Sequence, residues 1–184
     1  MKGLSAGIFY LFFSLLALTL AHFFHISLLR ISPRWPPVSG IGGTVFSGIG
    51  LGAGVLLASH FLDRFPMFSR LNATIARSLP AFDFGDVLIL SVASAIGEEL
   101  LFRGALLPLI GIHASSLLFG FLHYGGKRPF LLWGIMGWIM GYLLSGLFLL
   151  TGSLLSPVLA HFTINYFNLL HLIRTYPSSP EETA

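Results

Sequence analysis

Apolar residues run along this chain in long stretches, interrupted at intervals by short clusters of Arg, Pro, Asp and Gly. A run of about 20 mostly apolar residues is the length that crosses a bilayer as a helix. The pattern predicts an all-α, polytopic bundle of about six spans. The first covers residues 4–29 and is closed by Arg30, Pro33, Arg34, Pro36 and Pro37. Met1 and Lys2 ahead of an apolar run suggest a signal peptide. The run exceeds an h-region, however, and no small-x-small cleavage site follows, so it reads as a retained span.

The second span, residues 41–62, carries, with Gly40 just ahead of it, small residues three or four apart in two sets: Gly40, Thr44, Gly48, Gly52 and Gly43, Ser47, Gly50, Gly54. Such spacing lets helix backbones approach closely in lipid, and this helix is expected inside the bundle. Residues 63–83 are more polar, with Asp63, Arg64, Pro66, Arg70, Arg77, Pro80 and Asp83, and suit an interfacial or re-entrant segment. The third span covers 84–109. The fourth, 112–124, is short and ends at Gly125-Gly126-Lys127-Arg128-Pro129. The fifth covers 130–150, with Gly137, Gly141 and Ser145 on one face, and the sixth covers 154–173. Residues 1–174 form a single expected transmembrane domain, and 175–184 an expected disordered tail.

Composition agrees with embedding. The chain is 55% hydrophobic and 9% charged, with a mean hydropathy of +0.86. Soluble domains carry about 25% charged residues, and a chain this short could not hide its apolar surface from water. The absence of cysteine excludes disulfides, a thiol nucleophile and thiolate metal sites. The net charge of +3 sits mostly at segment ends, which is a topology signal and not a nucleic-acid footprint. With six spans, Lys2, Arg64, Arg70, Arg77, Lys127, Arg128 and Arg174 share one side, against Arg30 and Arg34 on the other. The positive-inside rule therefore predicts a cell-membrane protein with both termini in the cytoplasm.

Ionisable groups at membrane depth mark chemistry, because each costs about 2.5–3.5 kcal/mol on insertion scales. The third span holds Glu98, Glu99 and Arg103. Glu99 and Arg103 are four apart and can pair. Glu98 is turned about 100° away and has no sequence-local partner. His123 closes the fourth segment, and His161 and Asn165 share a face of the sixth. Taken alone, His123 reads as an interfacial or packed ring, and His161 with Asn165 as interhelical glue. Counted from the span ends, Glu98, His123 and His161 fall at one level, roughly 10–17 Å in.

Together these groups suit hydrolysis. Glu98 with His123 could hold and deprotonate water, and His161 with Asn165 could donate to an oxyanion. Ser91 and Ser94 lack a sequence-local base. Zinc on Glu98, His123 and His161 is the cofactor alternative, but no His-Glu-x-x-His motif is present, and the expected cofactor set is empty. His22, His25, His60, His113 and His171 are assigned no function.

At these residues the sequence resembles the CPBP family, the CAAX protease and bacteriocin-processing or Abi group. Its Glu-Glu-x-x-x-Arg motif is met by Glu98, Glu99 and Arg103. Phe-x-x-x-His is met by Phe119 and His123, and His-x-x-x-Asn by His161 and Asn165. The resemblance covers residues 84–170 and implies an all-helical, glutamate-type membrane endopeptidase. It implies that Glu98 and His123 activate water, that His161 and Asn165 stabilise the oxyanion, and that Glu99 and Arg103 shape the site. The implied partner is a membrane-anchored or secreted protein or peptide, without nucleic acid. The alternatives are a non-catalytic scaffold or immunity protein of the same fold, and a proton-coupled carrier.

Overall fold

The computed structural model describes residues 2–31 and 40–176. Pro33, Arg34, Pro36 and Pro37, expected to help close the first span, lie outside the described residues, as do residues 177–184 of the expected tail. Among the described residues the chain is helical throughout, with no strand beyond one isolated bridge. The helices are α1 (Lys2–Phe24), α2 (Gly40–Leu62), α3 (Pro66–Ser78), α4 (Phe84–Glu99), α5 (Leu107–Tyr124), α6 (Leu131–Thr151) and α7 (Leu155–Thr175). A π-helical turn, Leu100–Leu106, joins α4 to α5.

Boundaries follow local chemistry. Pro66 opens α3, where its missing N–H is no loss. Asp83 and Asp86 form a reciprocal capping box at the start of α4. Gly125 and Gly152 adopt left-handed conformations that close α5 and α6. Helix α1 stops at Phe24, short of the expected residue 29, because His25 turns to φ 53°. The strand-like segment that follows clips onto the α6–α7 turn. Ile31 N–H donates to the Gly152 carbonyl at 3.2 Å, and Leu154 N–H to the Leu29 carbonyl at 3.0 Å.

Among the described residues four helical stretches are long and apolar enough to cross a membrane: Gly7–Phe24, Gly40–Leu62, Phe84–Tyr124 and Arg128–Thr151. Phe84–Tyr124 runs for 41 residues but reverses at Gly111, whose φ of 79° and ψ of 170° no helix accommodates. The reversal brings the Phe102 and Phe119 rings to 4.9 Å, centroid to centroid. In a straight helix these residues would stand roughly 25 Å apart. The third and fourth expected spans are thus two arms of one bent run. Helix α7 is long enough to cross but is not among the four, being diluted by the polar residues that it carries inward.

Helix α7 packs on α2, α4 and α6, while α5 lies between α6 and the π turn, and α1 lies along α4. Large apolar side chains such as Phe12, Leu15, Phe46 and Leu57 point outward. In water so extensive an apolar face would be an anomaly; in lipid it is the outer wall of a multi-pass membrane protein. Helix α2 departs from expectation. Its Thr44, Gly48 and Gly52 face is buried. A Cβ on Gly48 would meet the Ser156 carbonyl oxygen at 2.5 Å, and one on Gly52 would meet Thr163 at 2.8 Å. Gly50 and Gly54 face open space, so α2 is a peripheral helix seated on α7 by one face only. Thr175 and Tyr176, expected in a disordered tail, end α7 in order, and the Tyr176 hydroxyl donates to Asp63.

Candidate active site

Two adjacent carboxylates leave α4 in different directions, and both are buried. Glu99 is 0% exposed and accepts on one oxygen from two partners: Arg103 Nη1 at 2.9 Å and His161 Nδ1 at 2.7 Å. Arg103, 1% exposed, also donates to the carbonyls of Met140 at 3.4 Å and Gly141 at 3.3 Å on α6. Its guanidinium lies 4.4 Å from the centre of the Phe119 ring, an additional cation–π contact. The Glu99–Arg103 pair expected from the four-residue spacing is therefore present, and its cation ties α4, α5 and α6 together. The π turn that carries Arg103 is a form that recurs at functional sites.

His161 stands between the two acids. With Nδ1 committed to Glu99, its Nε2 lies 3.9 Å from Glu98 Oε2, beyond hydrogen-bond distance. Glu98 Oε2 is buried without a hydrogen-bond partner, and so are Glu99 Oε2 and Arg103 Nε. Unpartnered polar atoms of this kind each cost about 1–3 kcal/mol or more when charged, so several together in one cluster demand an explanation.

Glu98 opens onto a cavity of about 510 Å³ whose polar lining includes Ser94, His123 and Asn165. The rest of the wall is largely apolar, from Phe9, Phe13, Phe102, Phe119, Trp133 and others. His123 Nδ1 bonds the Phe119 carbonyl of its own helix at 2.8 Å, which leaves Nε2 as the free ring nitrogen. Gly137 makes room for that ring: a Cβ there would lie 3.0 Å from it. Trp133 packs edge-on at 5.1 Å. Asn165 Nδ2 donates to Ser94 Oγ at 2.9 Å.

The three groups set at one depth by counting, Glu98, His123 and His161, come to one region together with Asn165. Glu98, His123 and Asn165 share the cavity wall, and His161 stands behind Glu98 with its ring 6.1 Å from that of Phe119. Among the described residues no group of three or more His, Asp or Glu side chains is arranged to hold a metal ion, so the alternative ligand set of Glu98, His123 and His161 is not assembled. Ser94 enters the site as the hydrogen-bond partner of Asn165. Tyr10, from α1, was not anticipated; it lines the same cavity as Glu98. No spacing in the sequence links residues so far apart.

The fold and this site define a class: a multi-pass membrane protein whose buried acid–histidine cluster opens on an apolar cavity. Residues 80–167 match the family model described as type II CAAX prenyl endopeptidase Rce1-like, so the resemblance carried by the three motifs holds over that segment. The family is one of membrane proteases. An uncharacterised protein of Bacillus subtilis (strain 168), YpbD, is 37% identical over 89 residues, which cover 48% of this chain and 44% of that protein. The match therefore spans less than half the length of this relative. No solved structure matches the chain.

Proposed function

We propose that this protein is a glutamate-type intramembrane endopeptidase acting on a membrane-associated protein or peptide. The observation that carries the reading is Glu98: a buried carboxylate with an unpartnered oxygen, on a cavity wall shared with His123 and Asn165. In this mechanism Glu98 and the free Nε2 of His123 hold a water beside the scissile carbonyl, and Glu98 accepts its proton as the oxygen attacks. The carbonyl oxygen gains charge as the tetrahedral intermediate forms. Asn165 stabilises it by a hydrogen bond in a dry site, and His161, its Nδ1–H held by Glu99, does so as the imidazolium, with Nε2–H as the donor. Glu98 then returns the proton to the departing amine, which balances the reaction without a cofactor. Glu99 and Arg103 act through position, fixing His161 and the turn that carries both acids.

The apolar cavity wall suits a substrate segment delivered from the bilayer. The cationic side chains at the α3 end of the bundle favour a cytoplasmic location for that end. The chain has no cysteine, so single introduced cysteines at Ser78 and Ser153 would report the orientation by membrane-impermeant labelling.

The deciding experiment compares membrane and secreted proteomes of wild-type and Glu98→Ala cells, followed by cleavage of any recovered substrate in reconstituted membranes. Loss of cleavage by a folded Glu98→Ala protein is the expected result. Wild-type-like cleavage by that variant removes Glu98 from its role. A cellular phenotype that persists unchanged in the Glu98→Ala strain would favour a scaffold instead.

A further inference from the structure

An asparagine side chain carries a carbonyl oxygen at one end and an NH2 group at the other, in nearly the same shape. Only the NH2 end can stabilise an oxyanion. In this bundle the choice between the ends is made by Ser94, which is 2% exposed on α4. Its Oγ donates to the Ser91 carbonyl at 3.3 Å. With its only hydrogen so committed, it accepts from Asn165 Nδ2 at 2.9 Å. The reversed amide would set its carbonyl oxygen against a hydroxyl oxygen whose hydrogen points elsewhere, two acceptors with no proton between them. Asn165 lines the same cavity as Ser94, Glu98 and His123. Its second N–H diverges from the first in the amide plane and is the donor left over for a guest.

We propose that Ser94 is a positioning residue for Asn165. By holding one N–H of the amide, it fixes the direction in which the other meets the carbonyl oxygen of a substrate. The inference rests on the endopeptidase reading for its chemical purpose, but the contact itself is independent of that reading. Ser94 and Glu98 are four apart on α4 and share a face. The helix that presents the acid therefore also orients the amide that faces it from α7. Two simpler roles for Ser94 lead elsewhere. A nucleophile needs a base to take its proton, yet the Ser94 hydrogen goes to a backbone carbonyl. Interhelical glue between α4 and α7 adds a little stability and leaves the rate of a reaction alone.

Ser94→Ala removes the acceptor, and Ser94→Cys nearly keeps the volume while offering only a weak one. Purified full-length protein in phospholipid nanodiscs is assayed on the protein substrate recovered from the Glu98→Ala proteome comparison. Both variants should lower kcat about tenfold to a hundredfold, the scale of a misdirected catalytic group, with KM within about twofold of wild type. Their melting temperatures should stay within about 4 °C of wild type, as the loss of one interhelical hydrogen bond allows. Adding Ser94→Ala to Asn165→Ala should cost nothing further, because no amide remains to orient. The side-chain amide resonances of Asn165, in protein labelled at its asparagine nitrogens, read the contact without any turnover. They are assigned by their loss in Asn165→Ala and should shift in both Ser94 variants. An unshifted pair of resonances, a wild-type kcat in Ser94→Cys, or losses that add in the double variant overturn the proposal. Cleavage abolished in Ser94→Ala as completely as in Glu98→Ala also overturns it and marks a nucleophile. A shifted pair in a protein that shows no Glu98-dependent cleavage upholds the Ser94–Asn165 link and rejects the endopeptidase reading.

Discussion

Two clusters of carboxylate, histidine, amide and tyrosine lie at different levels of this bundle, built from nearly the same residue types. The outer one ties α2, α3 and α7. Asp63 accepts from Asn72 at 2.8 Å and Tyr176 at 3.5 Å on one oxygen, and pairs with His171 at 3.0 Å on the other. Both oxygens are occupied, and the pair is partly exposed. Burial alone would raise the Asp63 carboxyl group, but hydrogen bonds from His171 and Asn72, the His171 charge and the Tyr176 hydroxyl outweigh it and hold the group below its ordinary range. The inner cluster has Glu98, Glu99, His161 and Asn165 with Tyr10, and it leaves one oxygen of each acid without a partner beside a cavity. Residue types do not separate structural from chemical clusters; satisfaction does. A latch closes all its bonds, whereas the proposed reactive site leaves some open.

That contrast can be broken most sharply at Glu98. Glu98→Gln should lower cleavage by about 10²–10⁴-fold, the range of a positioned general base, and barely change thermal unfolding in detergent. Asp63→Gln should leave Glu98-dependent cleavage within about twofold in the same assay. Equal losses in the two variants would erase the distinction.

Next in size is Arg103. Arg103→Leu strands Glu99 as a buried charge and should cost about 3–5 kcal/mol of stability, read as a marked fall in the melting temperature of the detergent-solubilised protein. An unchanged melting temperature would mean that the Glu99 network does not hold the helices. Gly97→Ala comes third. Its methyl group would press on the α1 backbone at 2.7 Å, and overpacking of this kind costs about 1–3 kcal/mol. Cleavage should fall with it, since Tyr10 is displaced from the cavity wall, and full activity would show that α1 can retreat without disturbing Glu98.

The smallest effect belongs to the latch. Asp63→Asn should cost at most about 1 kcal/mol, as partly exposed ion pairs do. The sign of its pH dependence follows from the depressed pKa. The stabilisation is fully present above the unfolded value, near pH 3.9, and is lost as pH falls through the lower folded value. Wild type and Asp63→Asn should therefore differ in stability at neutral pH and converge in acid below about pH 3.9. A gap that widens in acid would refute the assignment.

Much of this architecture is legible along the chain. Apolar runs of membrane length, punctuated by Pro and Gly, place the helices to within a few residues, since lipid leaves a backbone little choice but to bond within its own helix. The break between the third and fourth spans falls at Gly111, where only glycine tolerates the conformation observed. The cost of charge in lipid singles out Glu98, Glu99 and Arg103, and helical spacing pairs the last two correctly. The burial of α2 was overestimated, because small residues occur on two of its faces and sequence cannot say that only one meets a neighbour.

What the linear pattern determined by itself is local or one-dimensional: which segments are helices, where they stop, and which side chains share a face. Only the tertiary structure decided that His161 binds Glu99 through Nδ1, that Asn165 meets Ser94, that His171 closes on Asp63, and that Tyr10 lines the cavity of Glu98. Each of these contacts joins residues far apart in the chain. Their distance depends on how whole helices cross and on the few glycines that let them come close, a quantity that no single helix contains.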